Sequence, residues 1–226
     1  MNKSIFNVVG VVAVSVVFCI GCGDGLGGGK GYGDGGDFLA DPNDGNGDNP
    51  YTYSGRTVKI GNQTWMAENL DRATTNSKCY ENSADSCAKY GRLYTWTDAK
   101  KSCPSGWHLP TIAEWTTLLD YAGGRDKAGT KLKSTSGWYE GGGFYGNGTD
   151  DYGFTALPSG NCDDGVNFNN IGNDGNWWSA TKSDVKYRYD DAEFTVGNGL
   201  NMNYRNESVL SFSCPRCLYS VRCVQD

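Results

Sequence analysis

Two cysteines three residues apart, one histidine, an acidic loop and a tryptophan pair are the residues here whose types could do chemistry. Cys214-Pro215-Arg216-Cys217 is a CxxC pair, a spacing that supports reversible disulfide chemistry where a cation or helix N-terminus stabilises one thiolate. It precedes a short terminal strand with no βαβ pattern nearby, so the simpler expectation is one structural disulfide partner plus one spare thiol. A four-cysteine zinc site would need two further thiolates already wanted for disulfides. His108 is the only histidine, so a Ser-His-Asp triad would have to include it, and a multi-histidine zinc site cannot be built. No G-x-S-x-G nucleophile elbow occurs. Between Trp107 and Leu109, His108 is expected to pack or hydrogen-bond. The loop NCDDGVNFNNIGNDGN at 161–176 carries Asp163, Asp164 and Asp174, oxygen donors that suit a hard cation such as calcium. Solvated turns require the same residue types; turns are the expectation, and no cofactor is expected. Trp177 and Trp178, adjacent on a strand, would point to opposite faces. One is expected in the core, the other as a surface platform for a sugar ring or a protein.

The elements that must position these groups are legible in part. Thr111-Ile112-Ala113-Glu114 is a capping box, preceded by Pro110, and Ile112, Trp115, Leu118, Leu119 and Ala122 recur at helical spacing until Gly123-Gly124. A shorter helix is expected over Trp96–Ser102, stopped by Pro104. Thr57–Ile60 and Gln63–Glu68 flank Gly61-Asn62 and read as a hairpin. Further strands are expected at Phe154–Leu157, Trp177–Thr181, Tyr187–Tyr189, Glu193–Val196, Asn201–Tyr204 and Tyr219–Val224.

The N-terminus reads as a targeting segment. Lys3 precedes the apolar stretch Ile5–Gly21, which is short for a membrane span. Cys19-Ile20-Gly21-Cys22 resembles a bacterial lipobox, implying a signal peptide over 1–21 and lipidation at Cys22. Residues 22–50, dominated by Gly, Asp and Asn, cannot bury enough apolar surface to fold and read as a flexible tether. Residues 51–226 read as one domain, long enough to bury roughly 70% of its unfolded surface. The net charge of −6, without clustered Lys and Arg, gives no nucleic-acid footprint.

Of nine cysteines, all but Cys19 and Cys22 lie in that domain, and export makes disulfides the default. Spacing does not determine connectivity, and the odd count leaves one thiol over. Cys79 and Cys87 are expected to pair locally. A Cys103–Cys223 bond would close a loop of about 120 residues, worth about 4–5 kcal/mol in the chain-entropy account. Cys162 would then pair with Cys214 or Cys217, Cys214 being the partner favoured.

GNQTWMAENL, YGRLYTW, CPSGWHLPTIAEW, GTDDYGFTALPSG, WWSAT and SVRC, in that order, resemble the Fibrobacter succinogenes major paralogous domain over about Val58 to Val224. That family looks like the C-type-lectin-like domains: WTDAKKSC followed by GWHLPTIAEW resembles their first two helices. The resemblance implies a disulfide from the first helix to the last strand, mapping to Cys103 and Cys223. The lectin calcium signature is missing, since the nearest segment to a Trp-Asn-Asp triplet is Trp177-Trp178-Ser179. Formylglycine-generating enzymes share a lectin-like fold and place a cysteine pair before a segment resembling Ser220-Val221-Arg222-Cys223. That second resemblance implies a thiol-dependent enzyme at Cys214 and Cys217, although the spacing differs and this domain is shorter.

The expected fold is therefore α+β and C-type-lectin-like: two or three short helices, short antiparallel strands, long irregular loops and stabilising disulfides. The expected function is a non-enzymatic binding module held by its lipid anchor on the cell envelope, as an outer-membrane lipoprotein facing periplasm or exterior. Its expected ligand is a polysaccharide or an envelope protein, met through Trp177, Trp178, Asp163, Asp164 and Asp174. The alternatives are the thiol-dependent enzyme and a structural envelope protein.

Overall fold

Turn chemistry starts the fold. β1 (Thr57–Ile60) and β2 (Gln63–Met66) pair antiparallel from Thr57↔Met66 to Ile60↔Gln63. Gly61 between them takes φ 61°, a conformation glycine adopts without penalty. The computed structural model describes residues 51–189 and 192–226; the expected signal peptide at 1–21, lipidation at Cys22 and tether at 22–50 lie outside the described residues. A 3-10 turn at Tyr80–Asn82 leads into α1 (Ala84–Tyr90) and β3 (Leu93–Tyr94). Thr95 caps α2 (Trp96–Ser102), accepting the Asp98 amide on its hydroxyl. After β4 (Trp107–His108), α3 (Ile112–Tyr121) opens on a reciprocal capping box: Thr111 Oγ1 accepts from the Glu114 amide at 3.2 Å, and Glu114 Oε2 from the Thr111 amide at 2.8 Å. α3 buries Trp115, Leu118 and Leu119. There follow α4 (Ala128–Leu132) and a hairpin of β5 (Glu140–Gly141) and β6 (Phe144–Tyr145).

The remainder is strand: β7 (Ser159–Asp163), β8 (Asn167–Ile171), β9 (Asp174–Lys182), β10 (Tyr187–Tyr189), β11 (Ala192–Phe194), β12 (Gly197–Asn203), β13 (Val209–Ser213), β14 (Cys217–Ser220) and β15 (Val224–Gln225). One sheet runs β1-β2-β15-β4. A larger one runs β13-β12-β9-β14-β7-β8, with β3 also on β14. Most pairs are antiparallel, but β9 meets β14 and β7 in parallel at Ser220↔Trp177 and Gly160↔Gly175. The fold is mixed α+β, with short helices and antiparallel-rich sheets.

Two expected strands are corrected. Phe154–Leu157 is irregular: Thr155 sits at φ 51°, its amide and hydroxyl both bonded to the Asp150 carboxylate, and Ala156 makes an isolated bridge to Lys133. The single terminal strand expected over Tyr219–Val224 is two, β14 and β15, because the chain between them turns Arg222 inward. The acidic loop 161–176 is also regular structure, made of the β7–β8 hairpin and the start of β9.

The strand period divides the core. Trp65 and Met66, Trp177 and Trp178, and Cys223 and Val224 are neighbours in sequence that enter opposite clusters. Trp65, Trp177 and Val224 join Trp115 and Phe154, with the Trp65 and Trp115 ring centroids 4.9 Å apart. Met66, Trp178 and Cys223 join Leu70, Tyr94 and Tyr219, with Trp178 and Tyr219 4.5 Å apart.

A buried cation holds this interior together. Arg222 is fully buried. Its guanidinium donates to Asn69 Oδ1 from Nε (3.1 Å) and Nη2 (2.7 Å), and to the carbonyls of Ala67 (3.2 Å), Phe154 and Thr155 (3.4 Å). The Phe154 ring lies 4.5 Å beneath it. Asn69 Oδ1 also accepts the Trp177 indole N–H at 2.8 Å, while its Nδ2 donates to the Tyr90 carbonyl at 2.9 Å. Burial lowers the Arg222 pKa to about 10, which leaves the group charged at neutral pH. A buried charge persists only if its donors are met, and here chain carbonyls and one amide meet them.

Among the described residues the disulfides join Cys79 to Cys87, Cys103 to Cys223, and Cys214 to Cys217. The expected Cys162–Cys214 bond is absent, and Cys162 is a buried free thiol. Sheet register is the cause. Cys217 lies opposite Asp163 and Leu218 opposite Cys162, so Cys162 and Leu218 point together into a cluster with Tyr80 and Leu93. Cys217 points to the other face. Chain entropy ranks the bonds: the separation of 120 at Cys103–Cys223 is worth about 5 kcal/mol and the separation of 3 at Cys214–Cys217 about 2 kcal/mol.

Candidate functional site

One surface group is a cluster of exposed aromatic side chains on a short hairpin. β5 and β6 pair at Glu140↔Tyr145 and Gly141↔Phe144, leaving Gly142 and Gly143 as a two-residue turn with φ of 58° and 85°. Positive φ at both positions is what a type I′ hairpin needs. The hairpin carries Tyr139, Phe144 and Tyr145, which are 48%, 40% and 85% exposed. Tyr204, just past β12, stands between two of them, its ring centroid 5.0 Å from Tyr139 and 5.5 Å from Phe144, both edge-on. The exposed Arg205 guanidinium lies 5.2 Å from the Tyr204 ring centre and 5.9 Å from that of Phe144, and its Nε donates to Tyr204 Oη at 2.8 Å.

This patch is held from beneath. Lys133 is buried and donates to the carbonyls of Asn203 (3.2 Å) and Asn206 (3.1 Å), which bracket Tyr204 and Arg205. Burial lowers the Lys133 pKa, opposed by the Glu207 charge. Asn203 Oδ1 accepts the Arg205 amide at 2.8 Å, and its Nδ2 donates to Asp174. On the hairpin side, Trp138 is buried and its indole donates to Ser134 Oγ and the Ala156 carbonyl. The Tyr139 amide donates to the Gly172 carbonyl at 2.7 Å. Of these rings Tyr139, Phe144 and Tyr204 are held by contact with one another, which leaves them less ordering to lose on binding.

The residues expected to bind do not form this patch. Trp177 and Trp178 are both buried, and their indole N–H groups are spent on Asn69 and on the Tyr94 carbonyl. β9 is an interior strand with a core on each face, so neither indole is a surface platform. Asp163 binds Asn161 and Asn169, Asp164 lies 3.6 Å from Arg216, and Asp174 binds Asn203. Asp163 is engaged within the β7–β8 hairpin, while Asp164 and Asp174 pair with groups from distant segments of the chain, and among the described residues no three His, Cys, Asp or Glu side chains gather as a metal would require. The rings that do form the patch carry one local signal: the run Trp138-Tyr139-Glu140-Gly141-Gly142-Gly143-Phe144-Tyr145 is a glycine turn flanked by aromatics. The contribution of Tyr204 and Arg205 could not be read locally, because they arrive from a distant part of the chain.

His108 is bound on both ring nitrogens, by Asp226 Oδ1 at 2.6 Å and Glu114 Oε1 at 2.7 Å. Burial opposes its protonation, but the hydrogen bonds to Asp226 and Glu114 outweigh it and raise the pKa. With neither nitrogen free to meet a substrate, the imidazole ties the start of α3 to the last residue described. The CxxC disulfide borders a small cleft of about 120 Å³ whose lining includes Trp96 and Trp178.

No curated protein and no solved structure matches the chain. The family profile described as the Fibrobacter succinogenes major domain matches residues 58–225, which include the Arg222 hub, both core clusters and the aromatic hairpin. The chain belongs to the Fibrobacter succinogenes major domain family.

Proposed function

We propose that this protein is a non-enzymatic binding module whose aromatic hairpin seats a polysaccharide. The observation that carries the reading is the outward display of Tyr139, Phe144 and Tyr145 around Tyr204 and Arg205, on a base fixed by Lys133 and Trp138. Aromatic faces complement the apolar C–H faces of sugar rings, and tyrosine hydroxyls and the guanidinium supply directional bonds. A lipid anchor at Cys22, with the Gly/Asp-rich segment as tether, would display the module on the envelope; the apolar stretch Ile5–Gly21 ending at Cys22 supports that part. A C-type-lectin-like fold is part of the proposal, supported by two consecutive helices, α2 and α3, and by the Cys103–Cys223 bond from the end of α2 to the chain's last strands.

The test is retention of the full chain on insoluble polysaccharides and on cell-wall sacculi. Retention is expected on at least one, reduced about tenfold by combining Phe144→Ser with Tyr145→Ser, with the circular dichroism spectrum unchanged. No retention on any polysaccharide overturns the reading, and retention untouched by the double substitution removes the hairpin from it.

A further inference from the structure

The Cys214–Cys217 bond differs in placement from the other two disulfides. Its loop is the shortest, spanning three residues between β13 and β14, so opening it severs no long-range crosslink. It borders a cleft walled by Trp96, Trp178 and Val196 and by its own Arg216. Cys214 is partly exposed while Cys217 is buried, so an approaching thiol reaches Cys214 first. The third observation is electrostatic. Asp163 Oδ1 lies 3.3 Å from Cys217 Sγ, held there because its carboxylate accepts from Asn161 Nδ2 at 2.8 Å and Asn169 Nδ2 at 3.0 Å. A disulfide sulfur has no proton to offer that oxygen, so two acceptors face each other in the closed form. A Cys217 thiol would donate to it. The carboxylate is therefore arranged for the reduced state.

We propose that Cys214–Cys217 is a thiol–disulfide exchange site, entered through the Trp96 cleft, whose partner is a dithiol. One partner thiolate attacks Cys214 Sγ, forming a mixed disulfide and releasing Cys217 as a thiolate, which takes a proton from solvent and then donates to Asp163. The partner's second thiol, as its thiolate, attacks the partner sulfur of the mixed disulfide and releases Cys214, which is protonated in turn. The partner leaves as a disulfide. Two electrons and two protons have passed to the cysteine pair. Cys162 takes no part, since its side chain lies on the opposite face of the sheet.

The probe is dithiothreitol, applied in graded amounts near neutral pH to the full oxidised chain, with alkylation of free thiols and mass spectrometry of non-reduced peptides. Cys214 and Cys217 are expected to be alkylated together at dithiol levels that leave Cys79–Cys87 and Cys103–Cys223 bonded and near-ultraviolet circular dichroism unchanged. Oxidised dithiothreitol is then expected to restore the bond. Asp163→Asn, which removes the carboxylate that favours the Cys217 thiol, is expected to raise the dithiol needed by about threefold or more. Opening of all three disulfides together, opening of Cys214–Cys217 last, or loss of the fold on its opening overturns the proposal, and these outcomes are read on the unaltered chain whether or not the variant folds. A midpoint unmoved in a folded Asp163→Asn chain removes the carboxylate's role and with it the assignment of the site.

Discussion

Arg222 over Phe154 and Arg205 beside Phe144 and Tyr204 are two arginine–aromatic groups put to opposite ends. In the first, the guanidinium is sealed in the core and its donors are met by Asn69 and by carbonyls from separate stretches of chain. In the second, the guanidinium is exposed and bonds to Tyr204; of the rings beside it Phe144 is exposed and Tyr204 half-buried against the core. Asn69, Phe154, Trp177 and Arg222 lie within WMAENL, GFTALPSG, WWSAT and SVRC, segments on which the family resemblance rests. The motifs that mark the family thus describe how the interior is tied together. The aromatic groups proposed to meet a polysaccharide lie outside those motifs, on the 139–145 hairpin and at the end of β12.

The comparison can be broken at its stronger end first. Arg222→Met keeps bulk but strips donors from buried oxygens, and is expected to lower the unfolding free energy by about 3 kcal/mol in a denaturant titration with disulfides intact. A loss under about 1 kcal/mol would mean that the hub is dispensable.

A smaller effect belongs to the His108 ion pairs with Glu114 and Asp226. The folded chain holds the His108 proton more tightly than the unfolded chain, whose value is near the usual 6.5. That contribution is complete below pH 6.5 and fades as pH rises through the higher folded value. Glu114 behaves in the opposite sense. Burial works against its charge, but bonds from Thr111 and His108 hold its pKa below the usual 4.5, so its contribution is present above 4.5 and is lost as pH falls through the folded value. His108→Gln should flatten the stability profile over the neutral range, by less than about 1 kcal/mol for groups this exposed. An unchanged profile would show that the His108 contacts carry no net stability.

The weakest effect on folding should come from the patch, where Tyr145→Ser is expected within about 0.5 kcal/mol of the parent while retention on polysaccharide falls. Equal losses of stability and retention would erase the contrast between the two regions.

Local chemistry made much of the frame legible. The hairpin around Gly61, the helix over Trp96–Ser102 and the capping box at Thr111 depend on turn geometry and side chain–backbone bonds within a few residues, and each forms where its spacing places it. The β7–β8 hairpin was not legible. Ser-Gly-Asn-Cys-Asp and Asn-Phe-Asn-Asn-Ile have the composition of loops, and they become strands because β14 and β9 supply partners. The tryptophan pair was half legible: period two sends Trp177 and Trp178 to opposite faces, but strand period says nothing about whether a face is covered.

The sequence by itself determined the family, the helix starts, the first hairpin and the alternation that splits the tryptophans, because these follow from short-range spacing. The tertiary structure alone decided which face of each strand is buried, and that register sends Cys162 away from Cys214. It also decided that Cys214 meets Cys217 beside Asp163, and that Tyr204 and Arg205 join the hairpin at 139–145. Each of those outcomes depends on segments far apart in the chain, whose placement is set by which strands pair and in what register, and no local pattern of residues specifies that.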